Sequence, residues 1–323
     1  MGNINIKPNR KYKSLGRPIG NHEIEMCYGG EADLHKRVTG CTKNPGHKGF
    51  IPLKDFNKNC LPLYYRGDKL LLKTIKTLAA LTVQVKSKFI SLERPEFYTY
   101  TQVPYPLYNN RGSYGMRLGT GRVYRVDKYT KRGGTCRCAK CQVSATPSKV
   151  WGEVHVVTAT HVVFDDSEAR KTICVLGFDD NESPVVSLDG WEVRGAPDIV
   201  GDVCKMSYVT CDLRLIDELK KMCWRFGRQC LAVAIKYWRF DEEDKLIVIV
   251  SHPHGCPKQV SVGQRTNTNR RRLIWTSYLY TTCTCPGSSG ATVYRLVYNA
   301  WLFLHPHSGS NPEGNYSGEM FRD

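Results

Sequence analysis

The sequence predicts an all-β protein with a loop-rich N-terminal extension that carries one short helix. Three observations point there. From about residue 119 onward, short apolar segments alternate with turn residues. Aromatic and β-branched residues, which suit a pleated and half-buried surface, are plentiful. The clearest helical periodicity lies early, ahead of those segments. Short strands at regular spacing argue for an antiparallel barrel or sandwich.

Residues 1–66 form the basic extension, loop-rich or partly disordered. Gly, Pro, Asn and Lys interrupt every short apolar group there, and no period of 3.6 or 2 persists. Cys27, Cys41 and Cys60 with His22, His35 and His47 are metal-ligating residue types, but their spacing matches no recognised site. Residues 67–114 read as a helix and linker. Asp68 is a fitting N-cap for a helix whose Leu70, Leu71, Ile75, Leu78 and Leu81 recur at spacings of three and four. Thr82 to Lys86 alternates as a strand does, and the aromatic, Pro-rich stretch 94–118 reads as a wrapped linker. The β-rich domain spans 115–310, with strands expected at 121–126, 153–158, 171–177, 203–211, 231–238, 245–250, 258–263, 273–282, 292–297 and 300–305. Residues 311–323 read as a flexible tail.

The chain has 323 residues, 41% of them hydrophobic, enough for a sizeable core. No apolar run reaches the length needed to cross a bilayer. The net charge is +17, and residues 1–100 carry 18 Lys/Arg against 8 Asp/Glu. Such an excess attracts nucleic acid or acidic partners non-specifically, the plain alternative being a solvated arm. Fourteen cysteines without a secretory signal imply reduced thiols and an intracellular setting, cytoplasmic or nuclear. Gly2 does not read as a myristoylation site, because Ile6 stands where that pattern wants Ser or Thr.

Acyl transfer by serine needs a base for the hydroxyl proton, a carboxylate to orient that base, and N–H groups aimed at the oxyanion. In Val156-Val157-Thr158-Ala159-Thr160-His161-Val162-Val163 an apolar strand ends in small residues and delivers His161 to a loop. In Cys285-Pro286-Gly287-Ser288-Ser289-Gly290-Ala291 two glycines free the backbone around Ser289, so the N–H groups of Gly287 and Ser289 can share one oxyanion. Between them, Asp212 in Thr210-Cys211-Asp212-Leu213-Arg214-Leu215-Ile216 is the expected acid. These motifs, in the order His, Asp, Ser, resemble those of the chymotrypsin-like serine proteases, especially the high-temperature-requirement (HtrA-type) branch. Val248-Ile249-Val250-Ser251-His252-Pro253-His254-Gly255 is similar to a turn of that branch. The resemblance covers about residues 115–310. It implies two six-stranded antiparallel barrels, a triad of His161, Asp212 and Ser289 in the cleft between them, and a protein or peptide substrate.

Cys283 stands where trypsin-like relatives carry the acid that binds basic side chains, so cleavage after Lys or Arg is not expected. His305, with His307 second, is the candidate for a pocket histidine that accepts Gln or Glu, as in viral and glutamate-specific relatives. Catalysis of this kind needs no cofactor. Cys136, Cys138 and Cys141 are close enough in sequence to share a structural zinc, with Cys174 or another thiol as fourth ligand. The competing reading is a catalytically inactive protease-fold binding module, associated with nucleic acid through its basic arm.

Overall fold

The computed structural model describes residues 20–27, 36–99, 101–130, 134–193, 195–237, 246–271, 275–296 and 305–321. Most of the basic arm, Gly2 included, and nearly all of the expected strand 300–305 lie outside these residues. The described chain is mostly β, in two antiparallel sheets. The first has eight strands, running in the order Val186–Asp189, Thr172–Leu176, Thr82–Phe89, Tyr114–Tyr129, Trp151–Thr158, Cys204–Thr210 and Glu192–Val193, with Glu25–Cys27 added to Tyr114–Tyr129. The second has nine, built around Trp275–Tyr280, Gln259–Arg271 and Leu246–Ser251. The expectation of two antiparallel β units holds, with more than six strands in each sheet; the N-terminal extension adds Glu25–Cys27 to the first, and Asn21–His22, Ile51–Pro52 and the C-terminal Gly314–Ser317 and Met320–Phe321 belong to the second.

The helix appears where its periodicity predicts, at Lys69–Leu81, with the Asp68 carboxylate accepting from the N–H groups of Leu70 and Leu71 at 2.8 and 3.0 Å. Its Leu71, Ile75, Leu78 and Leu81 are buried in the main core beside Val83, Val85, Val154 and Val156.

Three expectations are corrected. Of residues 231–238, read as a strand, 231–237 belong to a helix of 25 residues, Leu213–Tyr237, and residue 238 lies outside the described residues. A short apolar run such as Leu231-Ala232-Val233-Ala234-Ile235 suits strand and helix equally. The wider pattern decides: Ile216, Leu219, Phe226, Cys230, Val233 and Tyr237 form one buried face, and Trp224 and Ile235 are exposed on the other. The stretch read as linker already contains strand from Tyr114. The tail is not loose up to residue 321: Gly314–Ser317 pairs with both His307–Asn311 and Trp275–Tyr280, and Met320–Phe321 pairs with the latter. Among the described residues no helix is long and apolar enough to cross a membrane.

Candidate active site

His161 follows the strand Trp151–Thr158 of the first sheet, and Ser289 lies on the loop between Trp275–Tyr280 and Val293–Arg295 of the second. The two sheets meet here, with the Thr120 N–H donating to the Ser289 carbonyl at 2.8 Å and the Thr120 hydroxyl to the Gly287 carbonyl at 2.8 Å. The loop needs its glycines. Gly287 and Gly290 have φ of +93° and +88°. A Cβ on Gly287 would meet the His252 carbonyl at 2.6 Å, and one on Gly290 the Thr120 carbonyl at 2.1 Å. The Pro286 carbonyl accepts from the His254 N–H at 2.6 Å. Across that trans peptide the Gly287 N–H points away from His254, and among the described residues no hydrogen bond engages it or the Ser289 N–H.

The acid beside His161 is Asp202, not Asp212. His161 Nδ1 lies 2.8 Å from Asp202 Oδ2, and the His161 backbone N–H donates to Asp202 Oδ1 at 2.9 Å. The Ser308 hydroxyl also donates to this carboxylate. Burial pushes the Asp202 carboxyl up, but the charges of His161 and His22 and these hydrogen bonds outweigh it and hold it at about 2. Asp202 occupies a turn ahead of Cys204–Thr210, with φ of +54°. Asp212 lies beyond the far end of that strand, where it caps the long helix by accepting from the Leu215 N–H at 3.0 Å. The sequence signal overlooked was Gly201-Asp202-Val203, an acid opening an apolar strand.

The histidine loop is itself anchored by a buried charge cluster that sequence reasoning missed. Glu168 receives Arg94 Nε at 2.7 Å and Arg117 Nη2 at 2.6 Å, and all three side chains are at most 1% exposed. The guanidinium groups reach on to the backbone of the loop, Arg94 to the His161 carbonyl and Arg117 to the Val162 carbonyl, each at 3.1 Å.

His161 Nε2 and Ser289 Oγ meet on a third party. The Ser289 hydroxyl donates to the Glu23 carbonyl oxygen at 2.6 Å, and His161 Nε2 lies 3.2 Å from the same oxygen. Segment 21–27 thus runs through the cleft. Asn21 and His22 pair antiparallel with Ser310 and Gly309, and Glu25 to Cys27 pair with Leu118 to Met116. The His22 ring stacks on His161 with centroids 4.5 Å apart and planes 8° from parallel.

The Glu23 side chain enters a polar pocket. His307 Nε2 is 3.4 Å from one carboxylate oxygen, and the Lys43 ammonium pairs with the other while also reaching Thr284 Oγ1 at 2.9 Å and Asn315 Oδ1 at 2.8 Å. Burial pushes the Glu23 carboxyl up, but His307 and Lys43 outweigh it and hold it at about 2. On the far side of the ring, His307 Nδ1 is 2.7 Å from the Tyr280 hydroxyl. The pocket histidine is therefore His307. His305, the first choice from sequence, is turned away, with Nδ1 3.2 Å from the Gly318 carbonyl and its ring edge-on to Tyr278. Cys283 packs against Gly49 and adds no acid to the pocket.

Cys136, Cys138 and Cys141 do converge, and their fourth neighbour is Cys211; the four sulfurs lie within 4.8 Å of one another. Cys174, the fourth ligand named from sequence, is instead in the main core on the strand Thr172–Leu176. A second convergent group joins Cys41 and His47 of the extension to His254 and Cys285.

No protein-family profile and no curated protein matches the chain. Solved structures similar to it include the HtrA-type protease AlgW with a tripeptide, at 12% identity and a TM-score of 0.39, over 76% of this chain and 58% of that one. Deg5 is similar at 11% identity and a TM-score of 0.39, over 80% of this chain and 90% of that one. The chain thus spans less than two thirds of the length of the AlgW chain. In fold, two antiparallel sheets bring His161 and Asp202 from one side to Ser289 from the other, an arrangement consistent with the chymotrypsin-like double barrel.

Proposed function

We propose that the protein is a serine endopeptidase that cuts on the carboxyl side of glutamate. Ser289 Oγ is the nucleophile and His161 Nε2 accepts its proton. Asp202 holds the imidazole by Nδ1, and the N–H groups of Gly287 and Ser289 receive the oxyanion. His161 then passes the proton to the departing amine, and water releases the acyl group. The observation that carries this reading is the placement of Glu23, whose carbonyl meets Ser289 Oγ while its carboxylate meets His307 and Lys43.

The pocket chemistry sets the selectivity. The Tyr280 hydroxyl has one proton and two neighbours, His307 Nδ1 at 2.7 Å and the Tyr316 carbonyl at 3.2 Å; placed on the shorter contact, it leaves the proton of a neutral imidazole on Nε2, where it donates to the substrate. Glutamine accepts that bond too, but only glutamate also neutralises Lys43. A substrate Lys or Arg would face the Lys43 charge in a desolvated pocket. Peptide-library profiling should show glutamate preferred over glutamine by about tenfold or more, the equivalent of one charge-assisted contact. Lys43→Met should narrow that gap, and a fluorophosphonate probe should label Ser289. A dominant Lys/Arg preference would overturn the pocket assignment. Absence of both labelling and cleavage would favour the inactive binding module.

Cys136, Cys138, Cys141 and Cys211 suit a structural zinc remote from the reacting atoms. Cys138 Sγ and Cys211 Sγ are 3.8 Å apart. Two sulfurs about 2.3 Å from one tetrahedral ion lie about 3.8 Å from each other.

A further inference from the structure

We propose that the chain is its own substrate and cuts the bond between Glu23 and Ile24 in cis; this rests on the endopeptidase reading above. Segment 21–27 has the course that a substrate needs. Ahead of the bond, Asn21 and His22 form an antiparallel pair with a strand of the sheet that carries Ser289. Beyond it, Glu25 to Cys27 pair with a strand of the sheet that carries His161. The chain changes sheets at Glu23–Ile24, and there the carbonyl touches Ser289 Oγ. Both flanks are held by buried groups: Asp202 lies 3.7 Å from His22 Nδ1, and the Glu25 carboxylate lies 2.7 Å from His254 Nδ1. Two strand pairings and a filled polar pocket are more than a loop resting in a groove has reason to make.

In the step, Ser289 Oγ bonds to the Glu23 carbonyl carbon as its proton passes to His161. The carbonyl oxygen turns from the Ser289 hydroxyl toward the Gly287 and Ser289 N–H groups. The C–N bond to Ile24 breaks and its nitrogen takes the proton from His161. Water then hydrolyses the ester, which frees Ser289 and leaves Glu23 with a carboxylate and Ile24 with an amine.

Expression of the full chain followed by intact-mass and N-terminal analysis tests this. The wild type should begin at Ile24, at a rate independent of protein concentration, and Ser289→Ala should keep residues 1–23. Glu23→Lys should also keep residues 1–23, because its ammonium would face Lys43 in the pocket. A wild type that cleaves added glutamate peptides but retains residues 1–23 overturns the self-cleavage and leaves the endopeptidase standing. A cut whose rate scales with concentration overturns the cis assignment.

Independently, Cys41, His47, His254 and Cys285 converge within 4.8 Å, and the geometry points to a tetrahedral zinc-class ion that fastens the extension to the nucleophile loop. The Cys41 and Cys285 sulfurs are 3.6 Å apart, near the ~3.8 Å edge of a two-sulfur tetrahedral site. His47 Nε2 is buried and without a hydrogen-bond partner, and the buried His254 Nε2 is turned to the thiols, where His254 interacts with Cys41. His254 Nδ1 is occupied by Glu25, the outer carboxylate that orients a metal-bound imidazole. The Asn44 backbone N–H donates to Cys41 Sγ at 3.4 Å and its amide to Cys285 Sγ at 3.2 Å, which favours thiolates.

Metal analysis of the full chain, purified without chelator, should give one ion at this site beside any at the four thiols. His47→Ala and Cys41→Ser should each lose one equivalent. Cobalt loaded into Cys138→Ser protein, which keeps all four ligands here, should absorb as a two-sulfur, two-nitrogen tetrahedral centre. Unchanged metal content in folded His47→Ala, or no tetrahedral cobalt spectrum in Cys138→Ser, would overturn the site.

Discussion

Replacing Asp202 with Asn should lower kcat/KM by about 10⁴, the effect of giving a triad histidine the wrong tautomer. An amide at Asp202 can offer its NH₂ to His161 Nδ1, which then accepts and leaves the proton on Nε2, where the base has to be free. Asp212→Asn should change the rate by less than about twofold, because a side chain that caps a helix by accepting from Leu215 does so nearly as well as an amide. Steady-state kinetics on a glutamate peptide with both variants decides between the two acids. A large loss with Asp212→Asn and none with Asp202→Asn would reverse the assignment. The same carboxylate predicts a pH effect. The folded Asp202 carboxyl sits at about 2, below its ordinary 3.8. Its contribution to stability, about 2 kcal/mol at 1.36 kcal/mol per unit, is therefore complete above about pH 4 and lost as the pH falls toward 2. The stability gap between wild type and Asp202→Asn should shrink over that window in urea titrations.

The second large effect lies away from the reacting atoms. Glu168→Ala removes the one carboxylate that Arg94 and Arg117 share. Burial draws the Arg117 guanidinium down to about 10, so at neutral pH it stays cationic. Two buried cations would then face each other without a counter-charge, at a cost of about 3–5 kcal/mol. Against the 5–15 kcal/mol typical of whole domains, roughly, that is a large fraction, and the urea midpoint should fall accordingly. A change under about 1 kcal/mol would show that water or rearrangement already compensates the cluster. Because Arg94 and Arg117 also hold the His161 and Val162 carbonyls, kcat should fall even where the variant is fully folded.

These effects separate what is local from what is not. The loop around Ser289 was legible because it is one short stretch whose backbone demands, at Gly287 and Gly290, only glycine meets. His161 was legible because a strand end delivers it. The acid was not, since its identity depends on which turn reaches His161 Nδ1 in space, and both ends of the strand Cys204–Thr210 carry an aspartate. His305 and His307 are two residues apart and would share one face of a regular strand, so local alternation could not choose between them; the strand begins only at His307, and packing decides which ring meets Glu23.

Short consecutive stretches carry the helix at Lys69–Leu81, the glycine-flanked loop around Ser289, the strand end that delivers His161 and the three clustered thiols, and the run of short apolar segments carries the β-rich class. The helix, the loop, the strand end and the thiols are each written within a dozen or so consecutive residues. Packing brings in Asp202, the Glu168 cluster, Lys43, Cys211 and the passage of Glu23 through the cleft. Those pairings join residues far apart in the chain. Their energies come from charges and hydrogen bonds brought together by packing, and no local period or spacing encodes them.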